Sequence, residues 1–129
     1  MKPSQVLIVE DEIIVAEDFK GRLENLGYTV TSIVSTGPEA IQAAELGEPD
    51  IILMDIVLEG KMDGLEAANV IRSRFNIPLV YITAHTDKRV LERANVTEPF
   101  GYLIKPFGDR ELIANIEMAR YKHKMEQQL

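Results

Sequence analysis

Four places in the sequence put a chemically active side chain directly after a short apolar run. Glu10-Asp11-Glu12 follows Val6-Leu7-Ile8-Val9, and Asp55 follows Ile51-Ile52-Leu53-Met54. Thr83 follows Pro78-Leu79-Val80-Tyr81-Ile82, and Lys105 follows the run 100–104. The set holds several carboxylates, one hydroxyl and one ammonium. Clustered carboxylates repel one another unless a cation lies between them. A few hard oxygen ligands suit Mg²⁺, which keeps several of its waters. A divalent cation and a lysine ammonium can together neutralise a transferring phosphoryl group. An aspartate carboxylate can attack phosphorus to form an acylphosphate, and a threonine hydroxyl can hydrogen-bond a phosphoryl oxygen. The residue types therefore fit phosphoryl transfer onto an aspartate.

Such residues act together only if the chain brings their runs to one edge. Val6-Leu7-Ile8-Val9 is apolar and β-branched throughout, as in a strand buried on both faces. Ala16, Phe19, Leu23 and Leu26 recur at helical spacing, and Gly27 stands where a C-terminal cap belongs. The segment 28–34 is rich in β-branched residues and predicts a second strand. Thr36-Gly37-Pro38-Glu39 predicts a helix start, with Thr36 as cap and Glu39 completing a capping box. That helix continues through Ala40, Ile41, Ala44 and Leu46 and ends at Gly47 and Pro49. A third strand, 51–54, stops at Asp55. The Gly-containing loop 59–64 precedes a helix with Leu65, Ala68, Ile71 and Phe75 inward. A fourth strand spans 78–82, a more polar helix 87–94 and a fifth strand 100–104. From Gly108 or Asp109 onward the chain reads as helix, with Leu112, Ile113 and Ile116 apolar.

This is five βα units in strict alternation. It implies parallel strands, right-handed crossovers and helices on both faces of the sheet. In such a sheet ligands bind beyond the carboxyl ends of the strands, where all four chemically active segments fall.

Composition narrows the possibilities. A length of 129 residues argues for one domain with a core that needs no staples. The 21 acidic residues outnumber 14 Lys and Arg, for a formal charge of −7, which disfavours direct binding to nucleic acid or to an anionic membrane. There are no cysteines, so thiolate metal sites, disulfides and cysteine nucleophiles are excluded. No apolar run reaches the ~18–20 residues of a membrane span. The N-terminus lacks a secretory signal pattern, so a cytoplasmic protein is expected. Composition turns polar after Ala119. The expected division is a domain over 1–120, with 121–129 a helical extension or the start of a linker.

The sequence resembles the response-regulator receiver domains of two-component signalling. The matching pieces are 6–12, Ile52-Leu53-Met54-Asp55-Ile56, Met62-Asp63-Gly64, Thr83-Ala84 and Tyr102-Leu103-Ile104-Lys105-Pro106-Phe107. The resemblance runs from about Val6 to about Ala119. It implies a flavodoxin-like fold with strand order 2-1-3-4-5. It further implies that Asp55 is the phosphoacceptor, taking its phosphoryl group from a histidine kinase or a histidine phosphotransfer protein. Asp11 matches the direct Mg²⁺ ligand, Glu10 the acid reaching the metal through water, and Val57 the position whose backbone carbonyl completes the site. Thr83 matches the hydroxyl that moves to the phosphoryl group, and Lys105 the lysine that pairs with it. Lys105-Pro106 matches a cis peptide, and Tyr102 the aromatic switch. A downstream effector or output domain would read the result, from a monomer or weak homodimer. Beyond its own phosphotransfer and slow dephosphorylation, no enzymatic activity is implied.

Two departures stand out. The loop Ile56-Val57-Leu58-Glu59-Gly60-Lys61-Met62-Asp63-Gly64 lacks the proline common four places after the acceptor, and it is one residue longer than the usual form. Its Glu59 and Lys61 could alter access to Asp55. His85, two beyond Thr83, could orient a water or simply be exposed.

Plainer roles compete for each residue. Glu10 and Asp11 could favour the first helix N-terminus electrostatically, and Glu12 fits that role better than ligation. Asp63 and Gly64 read as a helix start, His123 as part of a solvated face, and Tyr102 as a half-buried strand aromatic. Thr83 and Lys105 gain weight only from the constellation. Other functions compete too. A phosphatase of the Asp-x-Asp type would need an acid two places after Asp55, where Val57 stands. A flavodoxin would place a phosphate against the acidic loop after the first strand. A receiver-like interaction module that is never phosphorylated is the main alternative.

Overall fold

The computed structural model describes residues 4–84, 88–97 and 99–129. Five strands and five helices alternate along it: β1 (Gln5–Val9), α1 (Ile13–Asn25), β2 (Thr29–Val34), α2 (Gly37–Gly47), β3 (Ile51–Asp55), α3 (Gly64–Arg74), β4 (Leu79–Thr83), α4 (Lys88–Val96), β5 (Gly101–Ile104) and α5 (Asp109–Gln127). The strands form one parallel sheet in the order β2-β1-β3-β4-β5. β3 therefore lies at the centre with β1 and β4 on its flanks.

Strand alternation divides the core into two layers. Val6, Ile8, Ile51, Leu53, Val80, Ile82 and Leu103 pack with Phe19, Leu23, Leu112 and Ile116 of α1 and α5. Leu7, Val9, Ile52, Met54, Leu79 and Tyr81 pack on the other side with Ala40, Ala44, Leu65, Ala68, Ile71 and Ala94 of α2, α3 and α4. Strands covered on both faces need apolar residues at every position, which is why β1 and β3 lack a polar face.

Local signals set the element ends. Thr36 caps α2 by accepting from the Glu39 N–H at 3.3 Å. Asp63 and Glu66 form a reciprocal capping box at the start of α3. Gly27 adopts a positive φ of 95° just past α1. At the end of α2 the left-handed residue is Glu48, at φ 43°, and the expected terminator Gly47 is still helical. Leu46 is 76% exposed, so the inward face of α2 rests on the alanines. α5 runs unbroken past residue 120, making 121–127 part of the same helix. Asp87 and His85 lie outside the described residues.

Candidate functional site

β1 and β3 deliver their acids to the same end of the sheet because they pair in parallel, with Val9 opposite Met54. Glu10, Asp11 and Asp55 each offer a carboxylate oxygen, and these oxygens lie within 4.8 Å of one another. Glu10 is 2% exposed and Asp55 6%, while Asp11 is half-buried. Lys105 reaches in from the end of β5. Its Nζ donates to Glu10 Oε1 at 2.7 Å and to Asp55 Oδ2 at 3.0 Å.

The remaining carboxylate oxygens are also held. Asp55 Oδ1 accepts the Val57 N–H at 2.9 Å, and Glu10 Oε2 accepts the Glu12 N–H at 3.2 Å. Buried charges persist only when paired and hydrogen-bonded in this way. Burial lowers the pKa of the Lys105 ammonium. Hydrogen bonds to Glu10 and Asp55, and the charges of both acids, outweigh that and hold it above the usual lysine value. Burial, a hydrogen bond with Glu10 and the Glu10 charge raise the Asp11 carboxyl pKa above its usual value. A cation among these oxygens would relieve that crowding.

Thr83 is fully buried at the end of β4, where its carbonyl accepts the Lys105 N–H at 2.8 Å. That bond ties the β4 end directly to the lysine. The Lys105–Pro106 peptide is cis. Tyr102 is half-buried on β5, stacks at 6.0 Å from Tyr81 and donates its hydroxyl to Asn95 Oδ1 of α4. Glu12 stands at the N-cap of α1 without a side-chain cap bond, and it is exposed.

The long loop after Asp55 is anchored at several points. Ile56 and Leu58 are buried, Thr36 and Glu59 form a parallel bridge, and Met62 packs against Gly37. Val57, Glu59 and Lys61 stay exposed at its rim. Sequence reasoning assigned Gly64 no part beyond starting a helix. Its N–H donates to the Ile56 carbonyl at 2.9 Å, and a Cβ there would lie 2.1 Å from the Asp55 carbonyl oxygen. Gly64 is thus the residue that lets α3 begin against the backbone of Asp55.

Comparisons with known proteins agree with this geometry. The family model for the response regulator receiver domain matches residues 6–117. The chain belongs to that family, the receiver domains of two-component response regulators. It is 38% identical over 117 residues to the transcriptional regulatory protein PdtaR of Mycobacterium tuberculosis, covering 91% of this chain and 57% of the relative. It is 34% identical over 120 residues to the phyllosphere-induced regulator PhyR of Methylorubrum extorquens, covering 92% of this chain and 44% of that protein. The chain thus spans about half the length of the curated relatives it matches.

Among solved structures, the signal receiver domain of a modulated diguanylate cyclase from Desulfovibrio desulfuricans G20 superposes with a TM-score of 0.91 at 41% identity, over 96% of this chain and 98% of that one. The receiver domain of a sensor histidine kinase from Pseudomonas aeruginosa PAO1 superposes with a TM-score of 0.83 at 30% identity, over 92% and 98%. That protein has a magnesium ion coordinated in its active-site cleft. No helix among the described residues is long and apolar enough to cross a membrane.

Proposed function

We propose that Asp55 is the phosphoacceptor of this receiver domain and that the protein works as a phosphorylation switch in the cytoplasm. One observation carries the reading. The Asp55 carboxylate ends a fully buried strand with one oxygen held by a backbone N–H and the other by Lys105, beside two further acids.

The donor is a phosphohistidine on a histidine kinase or histidine phosphotransfer protein. A carboxylate oxygen of Asp55 forms the new P–O bond as the N–P bond breaks, and the imidazole leaves with the electron pair. The donor set is hard oxygen throughout, which fits Mg²⁺ held by Glu10, Asp11, Asp55 and the Val57 carbonyl. Bound there, the ion supplies charge neutralisation for the phosphoryl oxygens. Lys105 already spans Glu10 and Asp55, so its ammonium is placed to follow the new negative charge. Thr83, joined to Lys105 through the backbone, supplies a hydroxyl for a phosphoryl oxygen, and Tyr102 responds on the same side. The readout surface is the face of α4, β5 and α5, where Val96 and Ile104 are exposed. Phosphorylation then selects between two arrangements of that face. A downstream effector or output domain binds the selected arrangement.

Intact mass after incubation with acetyl phosphate and Mg²⁺ tests this. The expected result is one added phosphoryl group, lost in Asp55→Asn and in the metal-free control. Unchanged uptake in Asp55→Asn would move the acceptor elsewhere. Absence of both an adduct and beryllofluoride binding would leave the unphosphorylated interaction module as the better reading.

A further inference from the structure

Arg22 of α1 reaches across to the turn that follows β5 and carries Lys105. Its Nη2 donates to the Phe107 carbonyl at 2.8 Å, and its Nε donates to Asp109 Oδ1 at 2.8 Å. Asp18, one turn back on α1, lies 3.8 Å from its Nη1. The guanidinium carbon lies over the Phe107 ring, 5.0 Å from the centroid. Phe107 packs in turn on Phe19 of α1 at 5.3 Å between centroids, and Lys105 Nζ lies 6.0 Å from the Phe19 ring. Both rings are buried, and the Arg22 side chain is only 23% exposed. This combination needs a planar cation. A guanidinium offers adjacent N–H groups in a fixed fork and stacks on aromatic faces, whereas a lysine ammonium is a point charge.

We propose that Arg22 is a positioning residue for Lys105, holding the turn 105–108 so that the ammonium meets Glu10 and Asp55 together. The turn is gripped at two points. Upstream, the Lys105 N–H donates to the Thr83 carbonyl at 2.8 Å, where the pairing of β4 with β5 ends. Pro106 has no N–H to add. Downstream, the Phe107 carbonyl is held by Arg22. The Lys105 backbone is therefore fixed between β4 and α1, while its four-carbon stem stays free to follow a new charge. Without the second grip, the turn would pivot about the Thr83 bond. Such a pivot matters because Nζ meets Glu10 at 2.7 Å and Asp55 at 3.0 Å at once, and a small displacement of its root breaks one bond or both. Asp109 is the first residue of α5, so the same fork also ties the start of α5 to α1. Among the described residues Arg22 makes no bond to Glu10, Asp11 or Asp55, so its influence passes through Lys105. The proposal rests on the roles given to Asp55 and Lys105 above.

A double-mutant cycle tests the coupling. Arg22→Ala, Lys105→Ala and the pair are compared in the full chain by the rate of phosphate uptake from acetyl phosphate and by beryllofluoride affinity, which stays measurable where uptake is slow. Arg22→Ala alone is expected to lower both roughly tenfold, within the range that misplacing a reacting group commands. In the Lys105→Ala background the same change is expected to cost less than about twofold, because the residue it positions is gone. Arg22→Lys keeps the charge without the fork and is expected to stay close to Arg22→Ala. An unchanged rate and affinity in Arg22→Ala would overturn the proposal. So would an undiminished loss in the Lys105→Ala background, which would mark a general loosening of the domain, and so would full recovery by Arg22→Lys, which would mean that charge alone suffices. Asp55→Asn runs beside the cycle. Uptake persisting there breaks the phosphoacceptor reading itself, whereas Asp55-dependent uptake that ignores Arg22 breaks only the positioning role.

Discussion

β3 and β5 serve the same cluster but are built differently. β3 has a hydrogen-bonded neighbour on each side, and all five of its residues are buried. β5 is an edge strand of four residues, of which only Leu103 is buried. Asp55 thus stands on the most constrained strand, whereas Lys105 and Tyr102 come from one of the least. The difference fits the proposed roles. A group that must receive a phosphoryl at a fixed point belongs on an element that cannot shift. Groups that must follow a new charge belong where fewer contacts resist movement. Tyr102 extends the pliant side, because its hydroxyl links β5 to Asn95 near the end of α4.

The sharpest way to break the contrast is at Gly64, which closes the loop behind β3. A methyl group there meets the Asp55 carbonyl oxygen at 2.1 Å and the Ile56 Cα at 2.9 Å. Both are backbone atoms, so no side chain can rotate away. Gly64→Ala is expected to cost about 3 kcal/mol or more, the upper end of overpacking penalties. Urea unfolding measures that cost, and intact mass is expected to show reduced phosphate uptake as the Asp55 backbone shifts. A fully stable Gly64→Ala variant would mean that the β3 end has slack.

Gly64 also marks a limit of what the sequence discloses. Buried parallel strands write themselves as continuous apolar runs, so β1, β3 and β4 could be read nearly to the residue. Their carboxyl ends then exposed Glu10, Asp55 and Thr83 as a possible cluster. Strand order could not be read that way, because alternation of β and α fixes parallel direction but not neighbours; the family resemblance supplied it. A glycine at a helix start looks like a cap residue, and only the approach of another strand's backbone makes it obligatory. Asp63-Gly64 beside an Asp-ending strand was the available signal. The left-handed Glu48 gave none, since Gly47 was the residue favoured on conformational grounds. Leu46 read as inward because helical spacing cannot show that α2 faces the sheet through its alanines. The polar turn after Ala119 marked where burial ends but not where the helix ends. α5 continues because its residues remain good helix formers.

The second contrast is energetic. Leu53 of β3 is fully buried between the sheet and the α1–α5 layer, whereas Ile104 of β5 is 44% exposed. Leu53→Ala is expected to cost about 2–5 kcal/mol, from lost burial and the cavity left behind. Ile104→Ala is expected to cost less than about 1 kcal/mol, the range of strand propensity at a partly open site. Denaturant midpoints of both variants measure the difference directly. Similar costs would mean that β5 is held as firmly as β3, and the division between fixed acceptor and pliant readout would fail.

A further small effect concerns the buried hydroxyl that joins β4 to the end of α4, between the two strands compared. Tyr81 is fully buried, and its hydroxyl lies 2.6 Å from Thr97 Oγ1. Thr97 donates its single proton to the Ala94 carbonyl at 2.7 Å, which leaves Tyr81 as the donor to Thr97. Tyr81→Phe removes one neutral hydrogen bond and is expected to cost about 1 kcal/mol near neutral pH. The pH dependence is more diagnostic. Burial pushes the Tyr81 phenol up to about 12, from an unfolded value near 10. A raised folded pKa means that the unfolded chain loses its proton first. The contribution is therefore complete below about pH 10 and disappears as pH rises toward about 12. Tyr81→Phe lacks this titration, so its stability deficit is expected to shrink across that window. Urea midpoints of both proteins at neutral pH and through the alkaline range test the sign. A constant deficit would show that the phenol remains solvated, and that β4 grips α4 less tightly than its buried neighbours imply.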